Sequence, residues 1–150
     1  MQKAIVFSHT QALVFTGCMA VFGFVHHADH VLRYDHSGWP FRPEVTPFTF
    51  SLVIYPLLIS ILVIRNKLYR VSVSAAFALV LIGAHTFLET PLDQFATWAN
   101  NSSTFSHSVG HPNLLDIRSP ALGIISAILG MILNVIAVVL PFVYWREEKY

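Results

Sequence analysis

The sequence contains one cysteine, Cys18, so no disulfide can close within the chain and no metal site can be assembled from thiolates. Charge is equally scarce: 11% of the 150 residues are Asp, Glu, Lys or Arg, against about 25% in soluble domains. Basic runs are missing as well, which argues against a nucleic-acid partner. Hydrocarbon fills the chain instead, at 55% hydrophobic residues and a mean hydropathy of +0.60. A polytopic membrane protein is the class that fits such a composition.

An apolar run of about 20 residues crosses the hydrocarbon layer of a bilayer. Four such runs are present, and they predict an all-α integral membrane domain: a four-transmembrane-helix bundle with spans at about 4–30, 47–67, 71–89 and 120–146. The first run does not read as a cleaved signal peptide, because His9 and Gln11 interrupt it and Lys3 is its only leading positive charge. Thr46-Pro47, Thr90-Pro91 and Ser119-Pro120 each place a capping hydroxyl before a proline tolerated at the first helical position. The first and last pairs open spans two and four. The middle one predicts a short interfacial helix at about 91–99, lying flat on the outer side with Phe95 and Trp98 at headgroup level. Pro56 and Pro141 fall inside helical runs and are expected to bend them.

Four spans put both termini on one side, where Lys3, Arg65, Lys67, Arg70, Arg146 and Lys149 face only Glu147 and Glu148. On the other side Arg33, Arg42 and Arg118 are outnumbered by Asp29, Asp35, Glu44, Glu89, Asp93 and Asp116. The positive-inside rule therefore predicts cytoplasmic termini in the cell membrane. Seven of the eight histidines then fall on the outer side, all but His9. The first outer loop, with its prolines and Trp39, reads as an ordered cover. The second, rich in Ser and Asn, reads as mobile, and its Asn100 and Asn101 match the N-x-S pattern.

Helical spacing then selects the candidates. His26, Asp29, His30 and Arg33 share one face of helix one if that helix continues through "HHADH", while His27 points elsewhere. His85 and Glu89 are one turn apart at the outer end of span three, where ionisable groups are costly and face a bundle interior. Two helices each offering a pair of ligands can enclose a metal ion. The predicted ligands are His26, His30, His85 and Glu89, with Asp29 orienting a histidine and Asp93, His107 and His111 as further candidates. Imidazole and carboxylate suit a divalent transition metal such as zinc, iron or copper. Gly123, Ser126, Gly130 and Asn134 form a small-residue stripe on span four, read as a packing seam in which Asn134 bonds across helices.

Three functions follow from this pattern. The first is a metal-dependent enzyme acting on a lipid-like substrate drawn from the bilayer. The second is a haem-binding electron-transfer subunit ligated by His85 and either His26 or His30. The third is an accessory subunit or transporter component responding to ions or pH. Any of them is compatible with a homo-oligomer or a larger membrane complex, and the sequence names no reaction.

Overall fold

The computed structural model describes residues 6–33, 50–104 and 109–147. Among the described residues five helices are complete: α1 (His9–Arg33), α2 (Ile54–Val63), α3 (Lys67–Phe87), α4 (Pro91–Asn100) and α5 (Pro120–Trp145). Of these, α1, α3 and α5 have 25, 21 and 26 residues and are long and apolar enough to cross a membrane. At 1.5 Å per residue they measure roughly 30 to 40 Å. Their outward residues, Val21, Phe24, Leu79, Val80, Val135 and Phe142 among them, are exposed and apolar, as a lipid-facing surface requires.

The second predicted span, 47–67, is described only from residue 50 onward: residues 50–51 are helical, 52–53 form a turn, and the helix resumes as α2. α2 has 10 residues, about half a membrane crossing by length. Its start is set by Pro56, which has no N–H to return to the Leu52 carbonyl; that carbonyl accepts from Tyr55 N instead, at 3.3 Å. Leu52 and Val53 form a turn there, and Pro56 sits in the first turn of α2, where proline is tolerated. The Thr46-Pro47 cap and the first outer loop lie outside the described residues.

The remaining caps follow the sequence. Asn66 accepts from Tyr69 N at 3.0 Å, Thr90 from Asp93 N at 3.2 Å and Ser119 from Leu122 N at 3.3 Å. Each satisfies an amide that the first helical turn leaves unbonded. Asn101 ends α4 in the left-handed conformation, at φ 55°.

Packing runs from α1 to α2, α2 to α3, α3 to α5 and α5 back to α1, with α4 lying across α5. Met19, Leu58, Ile61, Leu133, Ala137 and Leu140 fill the core between them. At one end the chain closes on itself. Phe7 N donates to the Arg146 carbonyl at 3.1 Å, His9 Nδ1 meets Glu147 Oε1 at 2.7 Å, and Arg70 Nη1 reaches Glu147 Oε2 at 3.0 Å. The first and last described segments therefore share one end of the helices, and His9 is a satisfied packing histidine.

At the other end, α4 and the segment after it depart from expectation. Trp98 is not presented at the protein surface: it is 3% exposed and turned into the protein. The segment after α4 is not loose where it is described. Asn113 donates to the carbonyls of Thr97 and Ile117, at 3.1 and 2.7 Å, Leu114 N donates to Leu32 O, and Ser119 N to Trp98 O. A Ser/Asn-rich composition suggests mobility, but these side chains replace the missing backbone partners of an irregular segment.

Gly123 and Gly130 allow α4 to approach this closely. A Cβ on Gly123 would stand 2.7 Å from the Phe95 carbonyl oxygen, and one on Gly130 would stand 2.7 Å from Gln94 Oε1. Gly123→Ala meets backbone that cannot swing aside, so we expect a loss of about 1–3 kcal/mol, read as a lower thermal midpoint in detergent. Gly17→Ala, whose Cβ meets nothing within 4 Å, is the matched control and should leave the midpoint unchanged.

Candidate metal centre

α1 continues without a break through "HHADH" to Arg33, so the i, i+3, i+4, i+7 face exists. It meets the C-terminal end of α3 across the core. His26 Nε2 and His85 Nε2 are 3.2 Å apart, with ring centroids 4.8 Å apart. Glu89, in the turn between α3 and α4, places Oε2 at 3.8 Å from His26 Nε2 and 3.6 Å from His30 Nε2. The donor atoms of His26, His85 and Glu89 all lie within 4.8 Å of one another, and His30 joins them through Glu89. For comparison, a tetrahedral ion with bonds of 2.0–2.1 Å holds its donors roughly 3.3 Å apart.

The carboxylate of Glu89 is divided between two tasks. Oε1 is bonded by Arg33 Nη2 and approached by Gln94 Nε2 at 3.4 Å, which leaves Oε2 facing the histidines. Arg33 is fully buried and also donates from Nε to Asp29 Oδ2 at 2.7 Å. Asp29 in turn accepts from Trp98 Nε1 at 2.8 Å and from Ser126 Oγ at 2.7 Å. Two carboxylates, those of Asp29 and Glu89, thus share the Arg33 guanidinium.

The other side of the centre is held by α5. Asn134 Oδ1 lies 3.0 Å from His85 Nδ1. An amide oxygen there accepts the Nδ1 proton, which leaves the Nε2 lone pair of His85 aimed at His26 and Glu89, the arrangement that a metal-ligating histidine uses. His26 Nδ1 and Gln94 Oε1 are buried with no hydrogen-bond partner among the described residues.

The other sequence candidates are placed elsewhere. Asp29 belongs to the Arg33 network and not to the histidine group. Asp93 Oδ1 accepts from Thr104 N at 2.7 Å and from Ser103 Oγ at 3.1 Å, tying α4 to the segment after it. His111 is exposed on that segment, and His107 lies outside the described residues. His27 points away from the cluster: its Nδ1 is 2.7 Å from Tyr55 Oη and its Nε2 2.9 Å from Ser51 Oγ.

Sequence reasoning assigns no site role to Trp98, Gln94, Ser126 or Asn134. For Ser126 and Asn134 the signal is present, since the only polar members of a small-residue stripe must bond across it. Trp98 and Gln94 are four apart on α4, but nothing in the sequence says which way that helix turns. Comparison of the chain with protein-family models, with curated proteins and with solved structures returned no match.

Asn134→Leu removes the acceptor from His85 Nδ1 without touching a ligand atom. We expect metal affinity to fall by about 10–100-fold, measured by competition with a chromophoric chelator, with the helical content unchanged.

Proposed function

We propose that this is a four-span integral protein of the cell membrane, with cytoplasmic termini, that holds one divalent transition-metal ion at its outer face between His26, His30, His85 and Glu89. The observation that carries the reading is the convergence of His26 Nε2, His85 Nε2 and Glu89 Oε2, each from a different position in the chain, with the far side of His85 fixed by Asn134. The Arg33 bond to Oε1 of Glu89 supports the same reading, because it leaves Oε2 on the side of the histidines.

Zinc, iron and copper all accept this donor set. Such an ion supplies Lewis acidity and an activated water, which suits a metal-dependent enzyme acting on a lipid-like substrate. Glu89 would be the charged ligand, Arg33 and Gln94 would hold its second oxygen, and Asn134 would fix the tautomer of His85. A haem held by His26 and His85 is supported less well, since axial ligands stand on opposite faces of a porphyrin and these rings are in edge contact. An accessory or ion-sensing role would use the same ion without a reaction.

Elemental analysis of the detergent-purified protein, together with its optical spectrum, tests the proposal. About one equivalent of zinc, iron or copper without a Soret band supports it. A Soret band selects the haem reading, and neither metal nor haem contradicts both.

A further inference from the structure

A second polar cluster stands outside the candidate metal centre, on the opposite side of His26. A cavity of about 420 Å³ opens between α1 and α2, walled by Phe24, His27, Ala28, Leu52 and Tyr55. Its surface is almost wholly apolar, although two of its five residues carry polar groups, because those groups are turned towards each other and towards Ser51. His27 is buried and its Nε2 lies 2.9 Å from the Oγ of Ser51, which is exposed. On the other side of the same ring, Nδ1 lies 2.7 Å from Tyr55 Oη. Proton placement on the ring is set by these two partners. With the proton on Nδ1, the imidazole donates to the Tyr55 oxygen and accepts from the Ser51 hydroxyl.

We infer that Ser51 is an acyl-accepting nucleophile activated by His27, and that the adjoining cavity takes the acyl chain of a lipid ester. A nucleophile in hydrogen-bond reach of a base, and a base oriented by a third group, is the arrangement that makes a serine hydroxyl reactive. The cavity supplies the substrate class: an apolar slot beside the base, on a lipid-facing surface that includes the exposed Phe24, fits a hydrocarbon tail and offers nothing to a polar group.

The step balances without any redox partner. Ser51 Oγ attacks the ester carbonyl carbon as its proton passes to His27 Nε2. The new carbon–Oγ bond forms, the carbon–oxygen bond to the alcohol breaks, and His27 returns the proton to the departing oxygen. Water then resolves the acyl-serine by the same path and releases a fatty acid. Tyr55 touches no reacting atom and acts as a positioning residue, holding the ring with Nε2 towards Ser51.

The test uses the full chain in detergent and a long-chain alkyl fluorophosphonate, whose phosphorus bonds to an activated serine with loss of fluoride. We expect an adduct on Ser51 by peptide mass spectrometry, none in Ser51→Ala, and labelling about 100-fold slower or more in His27→Gln. Tyr55→Phe keeps the ring in its wall and should slow labelling less than His27→Gln does. A short-chain probe should react more slowly than the long-chain one, because it leaves the cavity unfilled. Treatment with EDTA should not change the rate, which separates this cluster from the metal centre. Absence of an adduct on the helical wild-type protein overturns the inference. So does labelling of Ser51 that is indifferent to both His27→Gln and Tyr55→Phe, or labelling that disappears with the metal.

Discussion

Arg33→Met is expected to destabilise the protein more than any other single substitution at the outer end. Arg33 is fully buried, and its guanidinium is the only charge among the described residues that joins Asp29 to Glu89. Methionine fills much of the same volume, so the loss is mainly electrostatic: two carboxylates lose the guanidinium that joins them in a low-dielectric site. Removing one member of such a buried network costs about 3–5 kcal/mol, which at the size of this chain lowers a thermal midpoint by roughly 10 °C. The triple variant Asp29→Asn, Arg33→Met, Glu89→Gln removes all three charges and should recover much of that loss, since a fully neutralised network carries no desolvated charge. A metal ion should also restore more stability to Arg33→Met than to the wild type, because it supplies the missing positive charge. Equal stabilisation of the two proteins by metal would show that the ion sits elsewhere.

His85→Ala is expected to abolish stoichiometric metal binding. It removes a nitrogen that lies 3.2 Å from His26 Nε2, and it leaves Asn134 with no imidazole to orient. The loss of affinity should exceed the roughly 10–100-fold expected for a partner that only orients a ligand, so His85→Ala and Asn134→Leu form a graded pair. His30→Ala should lie between them, because His30 approaches the group through Glu89. If Asn134→Leu were as damaging as His85→Ala, Asn134 would be acting as more than an orienting group. If both bound metal as the wild type does, the centre would be misassigned.

Much of this arrangement is legible in the sequence, and the reasons can be traced to particular residues. Hydropathy locates α1, α3 and α5, because each is apolar over more than a bilayer thickness. The Thr90-Pro91 and Ser119-Pro120 pairs fix the starts of α4 and α5 to the residue, since a capping oxygen before proline leaves little choice. The i, i+4 spacing puts His26 and His30 on one face of α1, whereas α3 ends at Phe87 and Glu89 reaches His26 and His30 from the turn beyond it rather than from a helix face shared with His85. Spacing within a helix does not report which helices meet, so the sequence permits the approach of α1 to α3 through long side chains without requiring it.

The departures have equally local causes. Within the second predicted span a turn at residues 52–53 separates the helical residues 50–51 from α2, because Pro56 interrupts the helical ladder at Leu52. Trp98 has the composition of an interface aromatic, yet its indole N–H finds a buried acceptor in Asp29. The segment after α4 has the Ser and Asn content of a mobile loop, but Asn113 uses its amide to bond backbone on both sides of it. Asp93, a spare ligand by sequence, is instead committed to Thr104 and Ser103. In each of these last three cases a polar side chain meets a partner beyond its own helical turn, and local sequence carries no record of that partner.

The most direct test of the central claim is the visible spectrum of the cobalt(II)-loaded protein, wild type beside His85→Ala. An ion held by three imidazoles and one carboxylate in a dry site should give the intense ligand-field bands of low-coordinate cobalt, at about one equivalent, and His85→Ala should lose them. A spectrum that stays weak and hydrated in the wild type, or one that is intense and unchanged in His85→Ala, would contradict a metal centre built on His26, His30, His85 and Glu89.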